Sequence, residues 1–353
     1  MQSSTCPEPA EGRRFDQLSD RVEARPFDTT VLPVGDHAPG APALPSPKQP
    51  APPVTGILNI DKPAGWTSHD VVGKVRRLLG QKSVGHAGTL DPLATGVLLV
   101  CVGQATRVAE YLMAGRKVYR ATVQLGLTTD TYDIEGATVA TAPVPELTHD
   151  DLARALAPFI GALAQIPPAF SAIKQAGVPA YRRARRGETV TLEARPITIY
   201  SIELLAWRPP LVTLDVMCDP GAYIRSLAHD LGQALGCGGA LAGLRRLRSG
   251  RFGIEDAVSL DDLGAASQAG QTARYIHPIR AALYDLTPVA VDDEAAARLA
   301  HGQPILGPAG PVTDEGYALT AAGAVVAILR SDGACNGATH CQWWPKKVFE
   351  TSL

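Results

Sequence analysis

The chain is 353 residues long and 45% hydrophobic, enough for two domains with real cores. Its formal net charge of -2 argues against a general binder of polyanions, and no stretch approaches the roughly 18 consecutive apolar residues of a membrane helix. The six cysteines form no Cys-x-x-Cys pair and share no zinc spacing with the histidines, so no bound metal is expected.

Residues 1–53 end in "APALPSPKQPAPP", a Pro/Ala density that favours extended, solvated backbone, and they are expected to form a disordered tail. They carry no apolar core for a signal peptide, and the cysteines lack the density of a disulfide framework, so a cytoplasmic location is expected. Order should begin with a short apolar strand in "GILNIDKPAG", broken by Lys62-Pro63 and Gly65. In "TSHDVVGKVRRLLG", Thr67 or Ser68 can cap a helix. Val71, Val72, Val75, Leu78 and Leu79 fall on one face of it, and Gly80 ends it. "GVLLVCVG" is expected to be a buried strand, "QATRVAEYLMAG" a short amphipathic helix, and "KVYRATVQLG" a further strand. The segment "LTTDTYDIEGATVATAPVPE" is polar and turn-rich, while "LTHDDLARALAPFIG" returns to helical spacing. Two long strand candidates, "ARPITIYSIELLAW" and "PLVTLDVMCDPG", precede a helix in "AYIRSLAHDLGQALG".

Strands and helices mix without a regular βαβ repeat. The fold class is therefore α+β, with a mixed, mostly antiparallel central sheet flanked by helices. From about residue 286 one short helix, "DDEAAARLAHG", and several short strands, "YALTA" and "AVVAILR" among them, mark a small β-rich module.

Charge is unevenly spread. Residues 54–285 hold 24 Lys and Arg against 21 Asp and Glu, between two acidic flanks. The basic residues cluster in "YRRARRG" (181–187) and "LRRLRSGR" (244–251). Such runs are ordinarily solvated helix faces, and phosphate contact is the sharper alternative.

One carboxylate stands out. Asp91, in "VGHAGTLDPLATGVLL", occupies a loop of small residues just ahead of an apolar run, with His86 the one titratable neighbour. Asp-Pro is ordinary turn chemistry, so Asp91 can simply close a loop. Gly85, Gly88 and Gly96 would equally let a ligand or backbone approach it closely, and the apolar run would give a catalytic group rigid support. Tyr119 in "KVYRA", Tyr223 and Arg225 in "PGAYIRS", and Leu244 and Arg245 in "GLRRLR" each fit a plain structural role when taken alone.

Together, "GHAGTLDPLATGVL", "KVYRATVQLGLTTDTYD", "IPPAFSAIK", "ARPITIY", "GAYIRSLAHDLG" and "GCGGALAGLRRLRSG" closely resemble the bacterial tRNA pseudouridine-55 synthase (TruB) family, over about residues 54–285. The resemblance implies a pseudouridine synthase catalytic domain there, with an RNA-clamping insertion at about 127–175. Residues 286–353 are similar to the family's PUA-like C-terminal domain. The implied reaction breaks the N-glycosidic bond of one uridine in the T loop of tRNA, rotates the base and forms a carbon–carbon bond. No cofactor, metal or guide RNA is implied, and a monomer is expected.

By the same resemblance Asp91 is the essential aspartate. It would attack sugar C1′, attack the base, or remove a 2′-proton; the residues leave these routes open. Arg225 would hold Asp91 ionised, as a bidentate partner. Tyr119 would stack on the flipped base and offer its hydroxyl for a late proton transfer. His86 would fill space vacated in the T loop, Tyr223 and Leu244 would line the uridine pocket, and Asp130 would begin the insertion that closes over the T arm. Arg182, Arg183, Arg185, Arg186, Arg245 and Arg246 become candidate phosphate contacts. The rivals are a tRNA-binding protein without turnover, a guide-directed synthase and, most distantly, a two-carboxylate glycoside hydrolase.

Overall fold

The computed structural model describes residues 54–171, 173–175, 177–308, 315–331 and 340–350. The segment 1–53, expected to be a disordered tail, lies outside them.

The first elements form where capping and apolar spacing direct them. Strand β1 (Gly56–Lys62) leads through a tight turn to helix α1 (Ser68–Leu79). Thr67 caps that helix by accepting from the Asp70 amide while Asp70 answers the Thr67 amide, and Gly80 closes it in a left-handed conformation. Val71, Val72 and Val75 are its buried stripe. Strands β2 (Val84–Ala87) and β3 (Thr95–Val102) flank the Asp91 loop. The helix expected over 104–114 begins instead as a 3-10 segment, Gly103–Val108, where the Thr106 hydroxyl bonds back to the Gly103 carbonyl. Only Ala109–Ala114 is α-helical (α2).

Strand β4 (Lys117–Leu125) is followed by a small ribbon, β5 (Leu127–Thr129) and β6 (Thr138–Thr141), inside the stretch read as turn-rich. Next come α3 (His149–Leu156), β7 (Gly161–Gln165), β8 (Lys174–Gln175), β9 (Val178–Pro179) and α4 (Ala180–Ala184). The long strands β10 (Arg195–Arg208) and β11 (Leu211–Cys218) precede α5 (Ile224–Ala234). Strand β12 (Gly239–Ser249), β13 (Phe252–Gly253), α6 (Leu260–Gln268) and β14 (Ile276–His277) complete the larger sheet.

That sheet has ten strands. Eight run in the order β14-β1-β3-β12-β4-β11-β10-β7, with β2 on β3 and β13 on β12, and every pairing but β3–β12 is antiparallel. Strand β12 corrects an expectation: "LRRLRS" is a central strand, not a solvated helix face. Its Arg245 lies opposite Arg120 of β4, and the like charges are separated onto Asp61 and Asp215, each at 2.8 Å. Arg246 points inward and is 1% exposed.

The arrangement positions the site. Because β3, β12 and β4 are neighbours, the Asp91 loop, Leu244 and Tyr119 converge. Tyr119 and Leu244 pack against two core clusters at once, one built on α3 and α5 and the other on α1 and α6.

A second sheet of five strands follows: β15 (Thr287–Val291), then, after helix α7 (Asp293–Ala300), β16 (Ile305–Pro308), β17 (Glu315–Thr320), β18 (Val325–Ser331) and β19 (His340–Val348), in the order β15-β17-β18-β19-β16. Val325, Ile328 and Phe349 share a core with Ile57 and Leu99 of the larger sheet and Leu112 of α2. Gln104 and Glu350 exchange two hydrogen bonds across the same seam. Among the described residues no helix is long and apolar enough to cross a membrane.

Candidate active site

The Asp91 loop is tied down on nearly every residue. Ser68 Oγ accepts from the Leu90 amide at 2.9 Å and donates to the Leu90 carbonyl at 3.1 Å. The Gly65 amide donates to the Pro92 carbonyl, and the Ala94 amide donates to the Asp91 carbonyl, closing a turn. Beneath the loop, Lys62 Nζ donates to the carbonyls of Trp66, Pro63 and Pro92 at 2.6, 2.9 and 3.3 Å. Burial pulls the Lys62 ammonium down to about 8, with the Asp91 charge acting in the opposite direction.

From the other side, Arg246 grips both ends of the loop, Nη2 on the Gly88 carbonyl at 3.2 Å and Nε on the Val97 carbonyl at 2.6 Å. Gly96, at φ 95°, lets β3 meet β12 there: a Cβ at this position would lie 2.3 Å from the Arg246 carbonyl oxygen. A carboxylate on so fixed a backbone has its direction set before any ligand arrives.

Arg225, in the first turn of α5, faces Asp91. Its Nε lies 3.0 Å from Asp91 Oδ2. The expected bidentate fork is not what forms. Nη1 donates to the Thr131 carbonyl at 3.1 Å and lies 3.4 Å from Asp133 Oδ2, and Nη2 donates to the Phe170 carbonyl at 3.0 Å. A guanidinium with both terminal nitrogens occupied by other elements has one edge left, and Asp91 takes it end-on. The two partners also differ in burial. The Arg225 side chain is 8% exposed and that of Asp91 44%, so the cation is the enclosed partner and the carboxylate opens to solvent.

Asp133 is the carboxylate that sequence reasoning passed over. It is 7% exposed, and its Oδ1 accepts from the Thr131 hydroxyl and the Glu135 amide. Asp130, chosen from the same "TDTYD" run, is exposed and accepts from the Ala137 amide, which closes its own loop. The structure does not bring it to Arg225. Lys62 was also missed; its signal was a lysine ending an apolar strand ahead of a proline.

Of the other expected residues, Tyr119 and Leu244 are half-buried where the two core clusters meet. Burial pushes the Tyr119 phenol up while the adjoining Arg246 guanidinium pulls against it, so the hydroxyl stays protonated at neutral pH. Tyr223 precedes α5; its backbone is fixed by two hydrogen bonds to the Gln165 side chain, and burial raises its phenol as well. His86 packs edge-on against His69 with centroids 5.2 Å apart, and burial lowers its imidazole.

The basic residues divide. Arg182, Arg185 and Arg186 are exposed on or just after α4, Arg183 pairs with Glu188 at 2.7 Å, and Arg245 is held by Asp61. Arg246 is corrected as a phosphate contact, because its guanidinium is spent on buried carbonyls.

The arrangement presents a half-exposed carboxylate anchored by a buried cation, within electrostatic reach of the Tyr119 and Tyr223 phenols. A two-carboxylate hydrolase would need a second acid free to face the substrate, and both Asp133 oxygens are engaged, Oδ1 by Thr131 and Glu135 and Oδ2 by Arg225. Among the described residues no cluster of three or more His, Cys, Asp or Glu side chains is placed to hold a metal ion.

Comparison with known proteins gives matches over most of the chain. A family model described as TruB family pseudouridylate synthase (N terminal domain) matches residues 76–224, and one for the tRNA pseudouridylate synthase B C-terminal domain matches 225–284. The chain is 46% identical over 251 residues to a tRNA pseudouridine synthase B of Syntrophotalea carbinolica, covering 71% of this chain and 82% of the relative. It is 48% identical over 252 residues to that of Symbiobacterium thermophilum, covering 70% and 82%. Among solved structures it is similar to one of a Cbf5-Nop10-Gar1 complex, with a TM-score of 0.66 and 28% identity over 84% of this chain and 85% of that one. An H/ACA RNP bound to a substrate RNA containing 2'-deoxyuridine gives a TM-score of 0.65 and 27% identity over 84% and 86%.

Proposed function

The chain belongs to the TruB family of pseudouridylate synthases, and from that premise we propose that it isomerises uridine 55 in the T loop of tRNA to pseudouridine. The observation that carries the proposal is the end-on pair of Asp91 and Arg225 at the open side of the loop, beside Tyr119.

The target uridine has to leave its stack, which costs a few kcal/mol. The ring of Tyr119 is the platform that offsets this, at about 1–3 kcal/mol for a stacked base. Asp91 is then the group that acts on the extruded nucleoside, through the sugar or the base, and Arg225 fixes its direction. When the base has turned and its C5 has bonded to C1′, the C5 proton leaves and N1 gains one, and the Tyr119 hydroxyl is the candidate relay, its oxygen taking the C5 proton as its own O–H proton passes to solvent. Tyr223 and Leu244 border the uridine, and His86 occupies the space it vacates.

In this reading residues 54–285 carry the reaction, with the 127–175 region closing on the T arm, and 286–353 form a PUA-like module that adds RNA contacts. The protein acts in the cytoplasm as a monomer without a guide RNA. The identity of 46–48% to proteins named tRNA pseudouridine synthase B supports tRNA as the substrate.

The test uses a T-arm stem-loop labelled with tritium at uridine C5, purified full-length protein, and no guide RNA or cofactor. Release of tritium to water at one uridine is the expected result. RNA binding without release would make the protein a binding module, and release that depends on an added guide RNA would make it a guide-directed enzyme.

A further inference from the structure

Tyr132 is the one residue other than glycine with a left-handed backbone among the described residues, at φ 65°. A bulky aromatic residue avoids that region unless its surroundings hold it there. What holds this one is a ring stack. The Tyr132 and His229 rings lie 3.9 Å apart between centroids, with their planes inclined by 13°.

The two residues stand beside the same guanidinium. Thr131, immediately before Tyr132, gives its carbonyl to Arg225 Nη1, and Asp133, immediately after, gives its carboxylate. His229 follows Arg225 by four residues on α5, so the stack and the Arg225 contacts fall on one face of that helix. The Tyr132 carbonyl accepts from the Leu241 amide at 2.9 Å, and the Ile134 amide donates to the Leu241 carbonyl at 3.0 Å, which fixes the turn to β12. Burial holds the His229 imidazole below its usual range, so at neutral pH it is an uncharged plate. Its Nδ1 has no hydrogen-bond partner among the described residues, which leaves the ring face as its contact here.

We infer that the Tyr132–His229 stack is a positioning device: it keeps the Thr131–Asp133 turn left-handed, so that this turn fixes Nη1 of Arg225 and leaves Nε aimed at Asp91. The inference rests on the proposed function for the meaning of Asp91. Tyr132 and His229 are positioning residues and touch no reacting atom.

The experiment measures single-turnover tritium release and RNA affinity separately, on the full chain, for Tyr132→Gly, Tyr132→Phe, His229→Ala and His229→Phe. Glycine permits the left-handed backbone without strain but does not hold it there, so Tyr132→Gly removes the stack's restraint without adding a steric clash. Expected are rates lowered by about 10-fold or more in Tyr132→Gly and His229→Ala, with RNA affinity unchanged within about 2-fold. The aromatic replacements should recover most of the rate, and the double variant Tyr132→Gly/His229→Ala should be no slower than the slower single one. Rates within 2-fold of wild type for both stack-removing variants would overturn the inference, and so would a loss of rate matched by an equal loss of affinity. If Tyr132→Gly does not fold, the His229→Ala and His229→Phe pair decides. Failure of the wild type itself to release tritium would instead strike the proposed function.

Discussion

Arg225 and Asp91 meet at 3.0 Å with opposite exposures, 8% of the guanidinium side chain against 44% of the carboxylate. The cation is therefore the fixed member of the pair. Its other contacts, to Thr131, Phe170 and Asp133, remain when Asp91 changes. Asp91→Asn should fold normally and bind the T-arm stem-loop within about 2-fold of wild type, while product formation falls by at least ~10³-fold. Single-turnover tritium release and a binding titration check both parts, and retained turnover would remove Asp91 from the chemistry.

Gly96 sets how closely the Asp91 loop can approach β12. A methyl group there would lie 2.3 Å from a backbone oxygen, on a residue whose φ of 95° already disfavours any side chain. Gly96→Ala is expected to destabilise the protein by about 3 kcal/mol or more, since strand backbone cannot move aside as a flexible side chain would. Gly65→Ala is the comparison: it too is left-handed, at φ 77°, but nothing lies within 4 Å of its Cβ, so its cost is backbone strain alone. Urea unfolding of the two variants checks the difference.

Local sequence stops being informative where distant elements close on a residue. Helix α1 was legible because Thr67, the Val71–Val72–Val75 stripe and Gly80 all act within one 12-residue helix and its caps. Asp91, Tyr119 and Arg225 came from the family resemblance, and the structure does gather them. Strand β12 was not legible. Arginines at 245, 246 and 248 look like a solvated face until β3 and β4 close on either side and carbonyls of Gly88 and Val97 receive Arg246. Asp133 was missed for a related reason. Which aspartate of "TDTYD" turns inward depends on the left-handed backbone at Tyr132, and no side-chain pattern announces that.

Lys62 gives a pH signature. Its folded-state pKa, about 8, lies below the ordinary 10.5 because of burial. Below pH 8 both folded and unfolded chains carry the proton, and the burial cost is felt in full. Between about 8 and 10.5 the unfolded chain holds a proton that the folded chain has released, so this group makes stability rise with pH. Lys117, also lowered to about 8 by burial, acts with the same sign, and a comparison with Lys62→Met isolates the first group. The variant should be less stable at pH 7, having lost the donor to three carbonyls. Its stability curve should lack up to about 1.4 kcal/mol per pH unit of the rise above pH 8. Parallel curves from urea unfolding at pH 7.5, 9 and 10 would show that Lys62 keeps its ordinary pKa.

The arginines differ in what they can offer an RNA. Arg182 and Arg185 flank the ring of Tyr181, at 6.0 and 5.5 Å from its centroid, and with Arg186 they are exposed beside α4. Charges so placed are available to phosphates, and each contact made adds about 0.7–0.9 to the slope of log K against log salt. The triple replacement of Arg182, Arg185 and Arg186 by Gln should therefore weaken T-arm binding and lower that slope by about 2, with little effect on thermal stability. Arg246→Gln should do the reverse. Its guanidinium is 1% exposed and bonded to the Gly88 and Val97 carbonyls, so the change should lower the melting temperature and leave the salt slope of binding as it was. A triple variant with the wild-type slope would place the phosphate footprint on another surface.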